Sequence, residues 1–521
     1  MITLRLDELA REIPGKVEVV GDVGVRVGGV RHDSREVEAG DLFVARRGLT
    51  TDGTKYIDAA IARGAVAVLA ARGTIDASAL GVPALLVDDI ADGLAFASAA
   101  VYGHPAFSLE IVGVTGTNGK TTATHLIRAA IDGALGKMLC GTIGTVGHRF
   151  GDLRVDAAHT TPEADEIARV MAAMRKRGAT HLAMEVSSHA LELRRVRAVR
   201  FRVAAFTNLT QDHLDFHESM PKYAAAKERL FTECDPGAAV VNVDDAFGRE
   251  LATKVRAPLV RVSARVGASE SDADIFPRTA TTGAKGIEAV LRTPQGDVAL
   301  SSRLVGAHNL ENLVVALGVV HALDLDVHRA AAALANEVGA PGRLERCDAD
   351  GDDVTVLVDY AHTPDALARV LDSVRAIAPR RLWCVFGCGG DRDAGKRAPM
   401  GEAAATRADA LVVTNDNPRT EDATAIANAI VRGIEAAGLA RAELSALARG
   451  ARGYVVELDR ARAIALAIAS AAAADVIVLA GKGHEDYQIV GREKRHLDDR
   501  EEAKRALSVR RARRTASGGA V

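Results

Sequence analysis

From Ile111 to Val114 the chain is apolar and β-branched. Thr115-Gly-Thr-Asn-Gly-Lys-Thr-Thr122 follows, and then a helix-compatible segment, residues 123–134. A strand that stops at a Gly-rich turn and runs straight into a helix is the layout of a phosphate-binding loop. Gly116 and Gly119 permit a tight turn whose N–H groups face an anion. The helix N-terminus adds its partial positive charge. Lys120 is placed to reach the outer phosphates, and the Thr121 hydroxyl to ligate Mg²⁺. The usual pattern has Gly five residues before Gly119, where this chain has Val114, so the loop is a variant. The plain alternative is a Gly-rich turn that caps a helix.

The chain has 521 residues, too many for one hydrophobic core. Its 48% apolar and 26% charged residues fit an ordinary globular enzyme. A net charge of −3 offers no global basic field for nucleic acid. Cys140, Cys234, Cys347, Cys384 and Cys388 are odd in number and make no framework, which points to a reducing compartment. Cys384 and Cys388 lack a second ligand pair, so zinc is not expected. The first 13 residues lack the apolar core of a signal peptide. No run of about 18 apolar residues exists, so no membrane insertion is expected. The reading is a cytoplasmic, monomeric protein.

The fold class expected is α/β in three domains. Residues 1–107 read as a small α/β domain, with Gly103-His-Pro105 marking its end. Residues 108–338 read as the central phosphate-loop domain, a mostly parallel sheet covered by helices. Its strand candidates are residues 110–114, 137–140, 182–186, 203–207, 239–243 and 259–262, with a hairpin at 287–292 and 298–301. Residues 339–507 read as a Rossmann-like doubly wound domain, with strands at 354–358, 382–386, 410–414 and 476–480. Ligands of such sheets bind beyond the carboxyl ends of the strands. Here those ends carry Asp359 to Pro364, Gly387 to Arg392, Thr414 to Arg419 and Gly481 to Glu485, all polar and bearing Gly or Pro. The Arg-rich tail, residues 508–521, reads as disordered.

Glu185 ends a strand and suits a Mg²⁺ ligand. His is an uncommon Mg²⁺ ligand, so His213 reads first as a hydrogen-bonding residue. Lys227, on an amphipathic helix, reads first as a surface lysine. Asp391, Arg392, Asp393, Lys396, Arg397, Asp416 and Arg419 could bind a zwitterion, since Arg pairs bidentately with carboxylate and Asp accepts from ammonium. They could equally be a structural ion-pair cluster.

Taken together, these motifs resemble those of the Mur ligases, the ATP-dependent ligases that build the peptidoglycan peptide. The resemblance runs from about residue 27 to about residue 487. Thr115 to Thr122 is similar to that family's form of the phosphate loop, which accounts for Val114. His308-Asn-Leu-Glu-Asn312, Gly342-Arg-Leu-Glu345 and Asp359-Tyr-Ala-His-Thr-Pro364 are further family marks. Asp33-Ser-Arg35, Gly40 to Ala45, Thr160-Thr-Pro162, Glu185-Val-Ser-Ser-His189 and Asp416-Asn-Pro-Arg419 are most similar to the MurE type. That type adds diaminopimelate to UDP-N-acetylmuramoyl-L-alanyl-D-glutamate.

The resemblance implies roles. Gly116, Thr117, Asn118, Gly119, Lys120, Thr121 and Thr122 would bind the ATP phosphates, and Asn309, Asn312 and Arg343 other parts of the nucleotide. Ser34, Leu49, Thr50 and Thr51 would hold the uridine nucleotide. Thr160, Thr161, Ser187 and Arg195 would hold the muramoyl-dipeptide, with Leu193 where relatives often carry Gln. Arg392, Asp416, Asn417, Pro418, Arg419, Gly481 and Glu485 would recognise diaminopimelate. Lys227 would carry CO₂ as a carbamate and, with Thr121, Glu185 and His213, would ligate Mg²⁺. Lys120, Lys227, Glu185 and His213 would be the catalytic residues, in an amide ligation through an acyl phosphate. The alternatives are the same reaction with L-lysine, a folylpolyglutamate-synthetase-like ligase, a switch-type NTPase and a non-catalytic nucleotide-binding module.

Overall fold

The computed structural model describes residues 3–48, 51–377 and 380–518. The chain divides into two compact units. The first comprises Met1–Phe276, Arg292–Gly296 and Glu311–Ala333, and the second Pro277–Leu291, Asp297–Leu310 and Leu334–Val521.

The first unit holds two large sheets, beside a small antiparallel pair of Leu4–Arg5 with Arg26–Val27. The amino-terminal one runs Val17–Val20, Ala84–Val87, Ala67–Ala71, Asp41–Ala45, Gly29–Arg31. Only its first pair is antiparallel. Its inner strands Ala67–Ala71 and Ala84–Val87 are short continuous apolar runs because both faces are covered. The second sheet has eight strands, and its six-strand parallel core runs Cys140–Ile143, His181–Glu185, Glu110–Thr115, Val203–Phe206, Ala238–Asn242, Leu259–Val262. The strand that feeds the phosphate loop is therefore internal. Glu185 lies opposite Val114 on one side, and Phe206 opposite Thr115 on the other.

The strand expected at residues 137–140 is Cys140–Ile143 instead. The preceding helix ends at Gly136, at φ 68°, and Asp132 accepts from the backbone N–H groups of Leu139 and Cys140 at 2.7 and 2.9 Å. That carboxylate holds the intervening residues in the turn. The hairpin expected near residue 290 gains a strand, giving a three-stranded sheet of Phe276–Gly283, Gly286–Thr293 and Gly296–Ser302.

In the second unit a six-stranded sheet runs Glu345–Arg346, Thr355–Asp359, Val476–Ala480, Leu382–Phe386, Ala410–Val413, Gly453–Val456. All but the first pair are parallel. Leu367, Leu371, Met400, Ile426 and Ile430 pack helices on one face. Ala463, Ile464, Ile468, Ala503 and Leu507 pack helices on the other, so the sheet is doubly wound.

The tail corrects an expectation. Residues placed in a disordered segment from 508 onward continue the helix Asp499–Gly518. Ala503 and Leu507 anchor that helix in the core. Arg510 pairs with Asp353 at 2.7 Å and Arg511 with Asp352 at 2.7 Å, which neutralises the basic run. Arg510 also donates to the carbonyls of Ile468 and Ala471 at 2.6 and 2.7 Å, closing the C-terminus of the helix Arg460–Ser470. Residues 519–521 lie outside the described residues.

Candidate functional site

In the first unit the phosphate loop leaves the strand Glu110–Thr115 and enters the helix Lys120–Leu135. Gly119 sits at φ 83°, and a Cβ there would stand 2.4 Å from Asn312 Oδ1. A Cβ on Gly116 would stand 1.9 Å from Thr207 Oγ1. Both glycines are therefore required by close approach. The loop is fastened to the next strand end: Asn118 N donates to Asn208 Oδ1 at 2.9 Å, and Thr207 Oγ1 donates to Asn118 O at 2.7 Å. Thr117 Oγ1 shares a 3.2 Å hydrogen bond with the buried Tyr223 hydroxyl. Thr122 is buried in the first turn of the helix.

Two lysines converge on one carbonyl. Lys120 Nζ donates to Gly116 O at 2.9 Å, and Lys227 Nζ to the same oxygen at 2.7 Å. Lys227 is 1% exposed, which corrects its reading as a surface lysine. Its helix, Met220–Thr232, turns Tyr223, Ala226, Lys227 and Leu230 inward. The ammonium lies 4.4 Å from the Tyr223 ring centroid. Burial, then repulsion from Lys120, hold its pKa well below the ordinary lysine value, against a smaller opposing pull from Asp212. Both effects shift the balance toward the free amine, the form that adds to CO₂.

Glu185, 1% exposed, accepts from Thr121 Oγ1 at 2.9 Å and from Thr145 N at 2.7 Å. Thr145 Oγ1 reaches both Glu185 and Thr160, at 3.2 and 3.1 Å. Thr161 Oγ1 donates to the Glu185 backbone carbonyl at 2.9 Å and accepts from Ser187 N at 3.0 Å. Arg195 donates to Thr161 O at 2.9 Å and pairs with Glu163 at 2.7 Å. Glu163 is gripped from its other side by Arg46, at 2.8 and 2.9 Å. Thr160, Thr161, Ser187 and Arg195 thus adjoin the phosphate loop through Glu185. Thr145, Glu163, Arg46 and Tyr223 escaped the sequence reading, because each is a single residue with no motif around it.

His213, at φ 51°, stands edge-on to His189 with ring centroids 4.8 Å apart, and to Tyr223 at 6.1 Å. Burial and the neighbouring His213 and His217 push His189 down to about 4. Among the described residues no three His, Cys, Asp or Glu side chains gather as a metal cage. The donor set is one buried carboxylate and one hydroxyl, which are hard oxygen ligands suited to Mg²⁺ and short of anionic charge. A carbamate on Lys227 would supply that charge. Ser34 opens a short turn, Ser34–Glu36, capped by Asp33, which accepts from Arg35 N at 2.9 Å. Thr51 O accepts from Gly48 N at 2.7 Å. Leu49 and Thr50 lie outside the described residues.

In the second unit the strand ends gather the acceptor candidates. Asn417 Nδ2 donates to Glu485 at 3.1 Å, and Asn417 Oδ1 accepts from Ile489 N at 2.9 Å. A Cβ on Gly481, at φ 115°, would meet Asp416 Oδ2 at 3.6 Å. Lys482, fully buried and missed by the motif reading, sits 3.4 Å from Glu485, 3.4 Å from Asn417 Oδ1 and 3.7 Å from Asp416. Arg419 occupies φ 51°, a conformation that costs a non-glycine residue on the order of 1 kcal/mol. Its backbone is pinned by bonds to Ile489 and Gly491, and its guanidinium donates to Gly390 O at 2.8 Å. Pro418 O lies 1.9 Å from a Cβ placed on Gly390, so the two loops touch. Arg392 is exposed. Part of the charged cluster is structural: Arg397 pairs with Glu421 at 2.9 Å, and Asp391 accepts from Thr420. Arg343 stacks over the Tyr360 ring at 5.1 Å, and Asn309 Nδ2 donates to Val305 O at 2.8 Å.

Comparison with known proteins places this geometry. Three family models match in order: the Mur ligase family catalytic domain over residues 26–104, the Mur ligase middle domain over 114–320, and the Mur ligase glutamate ligase domain over 342–483. The chain is 46% identical over 515 residues to the UDP-N-acetylmuramoyl-L-alanyl-D-glutamate–2,6-diaminopimelate ligase of Geobacter metallireducens, covering 97% of this chain and 98% of that one. It is 43% identical over 514 residues to the enzyme of the same name from Gloeobacter violaceus, covering 98% of this chain and 100% of that one. A solved structure of a ligase of that name superposes with a TM-score of 0.69 at 31% identity, covering 98% of this chain and 100% of the other. With all three domains present in order and relatives matched along nearly the whole length, the chain belongs to the Mur ligase family.

Proposed function

We propose that this chain joins 2,6-diaminopimelate to the D-Glu γ-carboxylate of UDP-N-acetylmuramoyl-L-alanyl-D-glutamate, using ATP, in peptidoglycan precursor synthesis. One observation carries the reading. Glu185 is hydrogen-bonded to Thr121 of the phosphate loop on one side and, through Thr145, to Thr160 on the other. The subsite proposed to present a carboxylate therefore adjoins the subsite proposed to present a phosphate. The full-length relatives named for this reaction support the same substrates.

Amide formation from a free carboxylate is slow and uphill at neutral pH. A γ-carboxylate oxygen attacks the γ-phosphorus of ATP, the bond to the β-bridging oxygen breaks, and ADP leaves. The acyl phosphate is then attacked by the diaminopimelate amine. The tetrahedral intermediate expels phosphate, and the amine proton is lost. Lys120 and the loop N–H groups offset charge that builds on the transferred phosphoryl group. Thr160, Thr161, Ser187 and Arg195 orient the dipeptide. Arg419, with Asn417, Glu485 and Asp416, takes the far carboxylate and ammonium of the acceptor. Lys227, as a free amine, adds to CO₂ and releases a proton, forming a carbamate. Thr121, Glu185, His213 and that carbamate would hold Mg²⁺, and the ion would supply positive charge beside the phosphates.

We further propose domains at residues 1–107, 108–338 and 339–507 for the uridine nucleotide, ATP and the amino acid, and a cytoplasmic monomer. No described helix is long and apolar enough to cross a membrane. The test is ADP release with the UDP-muramoyl-dipeptide and either diaminopimelate, L-lysine or no amine. Turnover only with diaminopimelate is expected. Full-rate turnover without an amine would refute the ligase reading, and equal turnover with lysine would refute the acceptor.

A further inference from the structure

Arg460 and Asp499 form an ion pair in which neither side chain has any solvent exposure. It is bidentate: Nε donates to Asp499 Oδ1 at 2.7 Å and Nη2 to Oδ2 at 2.6 Å. The guanidinium also donates to two backbone carbonyls, Nη1 to Asn415 O at 3.2 Å and Nη2 to Ala480 O at 3.0 Å. Asn415 is the residue before Asp416, and Ala480 the residue before Gly481. One side chain therefore ties together the strand ends from which both acceptor loops spring. Asp499, the first residue of the terminal helix, fixes the plane of the fork.

Packing alone does not account for the pair. Buried ion pairs commonly stabilise a fold no better than apolar side chains of the same volume. What apolar side chains cannot supply is the pair of directional bonds to the strand ends. The loops need that registration. Across the two loops Lys482 reaches Asn417 only at 3.4 Å and Asp416 at 3.7 Å, near the limit for such contacts. A small separation of the two strand ends would break this cluster.

We propose that Arg460, oriented by Asp499, is a positioning residue for acceptor recognition. It holds the loop Asp416 to Arg419 and the loop Gly481 to Glu485 at one separation, and so sets the preference for diaminopimelate over a monocarboxylic amine. This rests on the reading of those loops as the acceptor site.

The test uses the full chain with the paired substitution Arg460→Met and Asp499→Leu. The double variant should melt within about 4 °C of the parent, because the ion pair is exchanged for an apolar pair. Its KM for ATP should be unchanged. Its KM for diaminopimelate should rise by about tenfold or more, and its preference over L-lysine should fall by a similar factor. A folded double variant that keeps both acceptor KM and preference overturns the proposal and leaves the pair a structural one. Should the double variant fail to fold, Arg460→Lys keeps the charge but loses the fork, and the same KM split decides. Asn417→Ala separates the two readings. If it leaves the acceptor KM unchanged, the site itself is misplaced and this inference falls with it. If it raises that KM while neither Arg460 variant does, only the positioning role fails.

Discussion

The phosphate loop and the acceptor loops reach their geometry by different routes. Gly116 to Thr122 is one contiguous stretch, fastened to the end of a neighbouring strand through Thr207 and Asn208. Two lysines meet on a single carbonyl of that loop, one of them buried. The proposed acceptor site is instead assembled from the loops that follow separate strands, and the Arg460 guanidinium bonds to the strand ends behind two of those loops. A contiguous site tolerates little change within itself. An assembled site is also vulnerable at residues that touch no ligand.

The sharpest break in that comparison is at Lys227. Lys227→Ala should lower kcat about 10³-fold, and Lys227→Arg should not restore it, since a guanidinium cannot become a carbamate. Bicarbonate with a short carboxylic acid should return part of the activity of the Ala variant. Glu185→Gln keeps the shape and removes the charge, and steady-state rates should fall about 10²-fold with a higher Mg²⁺ requirement. Both variants should leave acceptor binding, measured by calorimetry, as it was.

On the other side, Arg419→Lys should raise the acceptor KM about tenfold without altering the KM for ATP, because a point charge replaces a fork. The smallest effect is at the terminal helix. Arg510→Ala should cost about 1 kcal/mol of stability and spare catalysis. The hydrogen bond from Arg510 is the main cause holding the Asp353 carboxyl below its ordinary value of 3.8. A lowered folded pKa gives stability that is present at neutral pH and lost as the carboxylate protonates in acid. The difference in Tm between parent and variant should therefore shrink as pH falls below about 4.

What the sequence disclosed follows the same division. The phosphate loop was legible because strand, turn and helix are adjacent, and each glycine stands where a Cβ would collide. The loops proposed for the acceptor were legible as polar strand ends. Arg460 and Asp499 were not, because each is one of several charged residues at the start of an ordinary helix, and the partners of Arg460 are backbone carbonyls 45 and 20 residues away and a carboxylate 39 residues away. The tail was misread because the counter-ion of Arg510 lies 157 residues earlier. Lys227 was misread from local pattern alone, since its burial depends on the distant Gly116 and on Tyr223.

The central claim is that the carboxylate of the muramoyl-dipeptide is activated by phosphoryl transfer. It is tested by labelling the D-Glu γ-carboxylate with ¹⁸O and analysing the released phosphate by mass spectrometry. Capture of one carboxylate oxygen, with release dependent on diaminopimelate, is the predicted result. Phosphate that carries oxygen from water instead would contradict it.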